Sequence, residues 1–181
     1  MLRFAIFLIA FNIHTFFWEH SFISTKEHIP RPVYQYTLPT CGPSSFLAAY
    51  KWSTGKEYSL SKAMFLLMGQ EQSGATFESM IQLLKKEKLD IKPVLVRRGR
   101  VSETIKSFID NKRIVLAIVN SGGNPSSEST HWFIIYKYDK DTFSIACSNL
   151  KYYKIKQVDF RYNWIYSYER LRNYCVVIGV K

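Results

Sequence analysis

From residue 114 to 119 the sequence reads IVLAIV without a polar side chain, and after a loop, SGGNPSSEST at 121–130, it resumes as HWFIIYKY. A continuous apolar run of this kind is typical of a central strand, and the aromatic and β-branched run after the loop reads as a second one. Residues 139–141 form a turn by their composition, and TFSIAC at 142–147 pairs back, so 131–147 is expected to be a hairpin with His131 at a strand's mouth. A short strand is expected in IKPVLV at 91–96, and two more at 152–155 and 174–178, with the aromatic stretch 160–168 crossing between them.

The first half of the chain is patterned for helices. From Phe46 an apolar helical pattern runs until Ser53, Thr54 and Gly55 end it. Ser59 then opens a helix carrying Leu60, Ala63, Leu66 and Leu67, which stops near Gly69. Thr76 can cap a third, with Phe77, Met80, Ile81, Leu83 and Leu84 on its inner face and basic residues at its end, where the helix dipole favours them. Residues 101–110 are amphipathic again, with Ile105, Phe108 and Ile109 on one face. Helices first and strands later predict an α+β domain of two layers. At 181 residues the chain fits a single domain, large enough to bury about two thirds of its unfolded surface.

Chemistry enters at residues 35–49, QYTLPTCGPSSFLAA, where a polar loop carrying Cys41 runs into the first helix. Proline is tolerated in a first helical turn, so Gly42 and Pro43 suit a tight entry, and Ser44 or Ser45 can serve the early unpaired amides. A thiol at the positive end of a helix has its thiolate stabilised by the dipole and by free backbone N–H groups, which is one way a cysteine becomes a nucleophile. The three cysteines, Cys41, Cys147 and Cys175, are an odd, widely spaced set that matches neither a disulfide framework nor a zinc pattern, so no metal and no cofactor is expected.

Lys and Arg outnumber Asp and Glu by 25 to 14, a net charge of +11. That excess would suit an anionic partner, but it is scattered in short runs such as Arg97, Arg98 and Arg100, and no RNA-binding signature is present, so no nucleic-acid partner is expected. At the amino terminus Arg3 is followed by FAIFLIAF, which has the form of a signal peptide and is short for a spanning helix of about 20 residues. Residues 1–24 are therefore expected to be a signal peptide or membrane anchor, residues 25–181 the domain, and the protein exported or held at a membrane. Removing residues 1–24 takes away one Arg and one Glu, so the positive charge belongs to the domain.

A cysteine at a helix start, a histidine at the start of a later strand and a glutamine ahead of the cysteine are the parts of a thiol acyl-transfer site. Histidine takes the thiol proton and returns it to the leaving amine, while the Gln35 amide and the Cys41 backbone N–H hold the developing oxyanion. Gln35 lies six positions before the Cys41-Gly42-Pro43-Ser44 run, and Thr130, His131, Trp132 and Phe133 open the hairpin 90 residues beyond Cys41. This set resembles the bacteriocin-processing, double-glycine leader peptidases of the papain-like superfamily, from residue 30 to 150 and including the helix after Gly74.

The resemblance implies a papain-like fold, a helical first half whose Cys41 helix packs on a C-terminal antiparallel sheet. It also implies a peptide or protein substrate, with Gln35, Cys41 and His131 as oxyanion donor, nucleophile and general base. The family usually places an aspartate just past the return strand to steady the histidine, whereas this chain reads Ala146, Cys147, Ser148, Asn149 there. Asn149 is the candidate acceptor for the ring N–H, with Ser148 or a backbone carbonyl as alternatives. No Walker-type glycine-rich motif occurs in these residues, so a standalone peptidase is expected. The alternative is a catalytically degenerate domain that binds peptides without cleaving them.

Overall fold

The computed structural model describes residue 30 and residues 40–69, 74–126, 129–147, 151–167 and 173–181. Its framework is one six-stranded sheet, antiparallel at every pairing, made of β1 (Ile91–Arg97), β2 (Ile114–Asn120), β3 (Thr130–Tyr138), β4 (Thr142–Cys147), β5 (Lys151–Lys156) and β6 (Tyr174–Val180). The order across the sheet is β1-β6-β2-β3-β4-β5, which places β2 inside and β1 and β5 at the edges. Pro93 sits in β1, where an edge strand can spare the missing N–H.

Three helices precede the sheet: α1 (Cys41–Thr54), α2 (Leu60–Met68) and α3 (Phe77–Lys86). Ser59 and Thr76 cap α2 and α3 as expected, accepting from the backbone N–H of Lys62 at 3.4 Å and of Ser79 at 3.1 Å. Helix α1 starts at Cys41 itself, ahead of the apolar pattern from Phe46, and ends at Gly55, whose φ of 70° lets its N–H close on the Lys51 carbonyl at 2.8 Å. All residues from 41 to 49 are buried, so polar Ser44 and Ser45 lie inside the protein as well.

The expected two layers are in fact three. Helices α1 to α3 cover one face of the sheet, where Phe46, Met80 and Leu84 meet Leu116, Ile134 and Ile178. The other face is covered by α4 (Val101–Asp110) and by the helical turns Gln157–Asp159 and Phe160–Trp164, so that Ile105, Phe108 and Phe160 meet Val115, Ile135, Phe143 and Ile145. Strand β2 explains the difference: alternate residues of IVLAIV point into separate cores, and a strand with apolar side chains on both faces needs cover on both. Gly179 of β6 lets α4 approach closely, since a Cβ there would come within 2.9 Å of the Phe108 ring.

The hairpin β3–β4 slips once. Near the turn Tyr138 faces Phe143 and Lys137 faces Ser144, but further along Ile135 faces Ile145 and Phe133 faces Cys147, so Tyr136 is an extra residue on β3, a β-bulge.

Candidate active site

Strand β4 ends opposite Phe133, one residue short of Trp132. A main chain left beyond its ladder needs other partners, and α1 supplies them. The Ser45 hydroxyl donates to the Trp132 carbonyl at 3.4 Å, and the Trp132 N–H points at the Cys41 sulfur. Ser45 thus ties α1 to β3, and Thr40, at the helix start, makes no side-chain cap. The Trp132 indole fixes the same junction from the side, donating to the Ala75 carbonyl at 3.0 Å and stacking on Phe77, the first residue of α3, with ring centroids 6.0 Å apart.

Gly42 is the tightest point of the junction. A Cβ there would lie 2.3 Å from the Ala75 Cβ and 3.3 Å from the Trp132 indole, so only glycine allows the residue after the nucleophile candidate to sit so close.

Cys41 is 7% exposed, and burial pushes its thiol above the ordinary range. The backbone N–H groups of Trp132, Gly42 and Cys41 work in the opposite direction, and a charge on nearby Cys147 would add to the rise. The helix start therefore supplies the expected donors, but desolvation outweighs them and the resting group is the neutral thiol.

His131 precedes Trp132 and, by strand alternation, its ring lies on the face of β3 opposite the Trp132 indole. Its ring meets Phe133 edge to face with centroids 5.3 Å apart, and its Nε2 lies 3.0 Å from the Cys147 sulfur. Cys147 is paired with Phe133 and 5% exposed, which places it diagonally across from His131 on the same face. Burial lowers the His131 pKa below the ordinary histidine range, so the imidazole is neutral near pH 7.

Of the residues expected from the sequence, the structure brings Cys41 to the main chain of the residue next to His131. Gln35 and Asn149, with Ser148 and residues 1–24, lie outside the described residues. Sequence reasoning gave no role to Cys147 or Trp132. The signal for Cys147 was its place at the position where the resemblance puts an aspartate, and Trp132 carried none beyond its neighbour. All three cysteines are buried. Among the described residues no cluster of ligands could hold a metal ion, and no helix is long and apolar enough to cross a membrane.

Several solved structures of peptidase domains superpose on most of this chain. The chain has the fold of a C39-type peptidase domain. A C39-like peptidase from Bacillus anthracis superposes with a TM-score of 0.61 at 14% identity, covering 86% of this chain and 96% of its own. The peptidase domain of Streptococcus ComA, a bifunctional ABC transporter involved in quorum sensing, gives 0.60 at 14% identity over 84% of this chain and 98% of its own. A double-glycine motif protease from an AMS/PCAT transporter, in complex with its leader peptide, gives 0.58 at 14% identity over 87% and 96%. By sequence, no protein-family model and no curated protein matches the chain. The C39-type fold agrees with the papain-like architecture expected from residues 35–44 and 130–133, with the extra layer noted above.

Proposed function

We infer that this chain is a cysteine peptidase that hydrolyses a peptide bond through an acyl-enzyme on Cys41. The observation that carries the reading is the seat of the Cys41 thiol, at the first residue of α1 and against the backbone of Trp132, next in the chain to His131. With the Cys41 pKa raised and the His131 pKa lowered by burial, the resting pair is neutral thiol and neutral imidazole. His131 then works as a general base: the thiol proton moves to the ring as the sulfur attacks the substrate carbonyl, and the charge passes to the carbonyl oxygen. The Cys41 backbone N–H and the Gln35 amide receive that oxyanion. The protonated ring gives its proton to the leaving amine, and a water activated by the same ring hydrolyses the thioester.

The substrate class in this reading is a peptide cut after a double glycine, supported by the likeness in fold to a double-glycine protease seen with its leader peptide. Glycines beside the scissile bond let a substrate backbone approach closely in a narrow cleft. Export or membrane anchoring through residues 1–24 belongs to the same reading, supported by Arg3 and the apolar run that follows it.

The test is labelling with a peptide electrophile directed at thiols, together with hydrolysis of a double-glycine peptide. Both are expected in the wild type, with labelling lost in Cys41→Ala and hydrolysis lost in Cys41→Ala and His131→Ala. Labelling that persists equally in Cys41→Ala sinks the assignment. The second reading, a domain that binds peptides without cleaving them, is favoured by a cysteine standing where the family places its aspartate. It predicts affinity for the same peptide without turnover, and hydrolysis that disappears in both variants excludes it.

A further inference from the structure

We propose that Cys147 is the positioning residue of His131, its sulfur accepting from the ring Nε2–H and leaving Nδ1 as the nitrogen that exchanges a proton with Cys41. This rests on the reading of Cys41 and His131 as the reacting pair, and it gives a role to a thiol that the pair itself does not use.

The geometry places the two groups in direct contact, with Nε2 and Sγ 3.0 Å apart. The contact is held by the fold: the pairing of Phe133 with Cys147 fixes the sulfur on the imidazole's face, and the edge-to-face contact with Phe133 limits the swing of the ring. Both partners are at least partly buried, so water competes little for either. A neutral imidazole carries one proton, and the bond made by one nitrogen decides what the other can do. With Nε2 donating to sulfur, Nδ1 keeps its lone pair and can take the Cys41 proton. With the Cys147 S–H donating to Nε2 instead, the ring proton would sit on Nδ1 and the ring could not act as base there.

Sulfur also differs from the carboxylate or amide oxygen that usually fills this place. A neutral thiol orients the ring without adding a negative charge beside it, so the ring is aimed but not made more basic. Cys147 thus takes the place for which the sequence suggested Asn149.

The experiment reads the ring directly. Two-bond proton–nitrogen spectra of the full-length, ¹⁵N-labelled chain report the tautomer of each histidine, and His131→Gln identifies the His131 signals among the four. The rate at which iodoacetamide modifies Cys41, followed by mass spectrometry of its peptide, reports the base's effect on the thiol.

In the wild type His131 is expected as the Nε2–H tautomer. Cys147→Ala mixes the tautomers and slows Cys41 modification about 10- to 100-fold, the usual cost of losing a residue that orients a reactive group. Cys147→Ser, nearly isosteric and still an acceptor, and Cys147→Asp both keep the Nε2–H form and recover most of the rate. The proposal is overturned by a wild-type ring protonated at Nδ1, by Cys147→Ala leaving the tautomer unchanged, or by Asn149→Ala producing the change instead. Absence of peptide hydrolysis with the expected ring spectra would sink the peptidase reading and leave the role of Cys147 standing.

Discussion

The two faces of β3 at its open end are built differently. On the face toward α1, Trp132 is 3% exposed and held by a stack on Phe77, a bond to the Ala75 carbonyl and the Ser45 hydroxyl on its own carbonyl, so the nucleophile side belongs to the hydrophobic core. On the other face, the His131 ring leans on Phe133 and on the sulfur of Cys147. The position of the thiol is thus fixed by the packing that holds the fold together, while the aim of the base depends on local contacts. Stability and reactivity should be separable on the second face and inseparable on the first.

Trp132→Ala should break the comparison most severely. Loss of a buried tryptophan of this kind costs about 3–5 kcal/mol, so the urea midpoint should fall steeply and Cys41 reactivity with it. A stability near wild type would mean that the Trp132 face is no better anchored than the other. Gly42→Ala should come next. A Cβ that must displace Ala75 implies overpacking of about 1–3 kcal/mol, and because the strain falls beside Cys41, electrophile labelling should slow more than the stability loss alone explains.

The His131 face is sharpened by pH. Its folded pKa lies below the ordinary value of about 6.5, so as pH drops through that value the unfolded chain takes up a proton that the folded protein still refuses, and stability falls. Cys41 acts at the other end: its folded pKa is raised, so above about pH 8.5 the unfolded thiol ionises first and stability falls again. Urea midpoints measured from pH 5 to 10 should give a plateau bounded on both sides, with the acid shoulder weakened in His131→Gln and the alkaline one in Cys41→Ala. Shoulders unchanged in these variants would assign the titrations to other groups.

The smallest effect is expected from Thr76→Ala, which removes the cap of α3 and costs about 1 kcal/mol. Thr76 neighbours Phe77 and so belongs to the Trp132 side, but the stack itself survives the change. Cys41 labelling should stay within about twofold of wild type, since the loss of a cap acts on the helix end alone.

Much of this was legible in the sequence. Ser59 and Thr76 announced two helix starts because capping is a local bond between a side chain and an amide three residues on. The segment 101–110 declared itself by periodicity, and 114–119 and 131–147 by their runs of apolar, aromatic and β-branched residues. The start of α1 at Cys41 was legible as well, since Gly42 and Pro43 suit a first helical turn, whereas the packing of Ala75 and Trp132 against it is a long-range matter that local pattern does not carry. The third layer was written in the unbroken apolar character of β2 but called for a count of covering elements. The raised pKa of the Cys41 thiol could not be read from a helix dipole, because burial, a property of the whole fold, outweighs it.

One irregularity in the hairpin decides which atom lies beside the imidazole. If Tyr136 were paired in a regular ladder instead of bulged, the register set at the turn by Tyr138 and Phe143 would carry through unchanged, and Cys147 would fall opposite Ile134, on the tryptophan's side of the sheet. The place opposite Phe133 would then pass to the next residue in the sequence. The chemistry around His131 is therefore specified by register, by which residue of β4 the bulge brings opposite Phe133. A one-residue slip of register in that stretch would exchange the group facing the base and leave Cys41 and His131 themselves untouched.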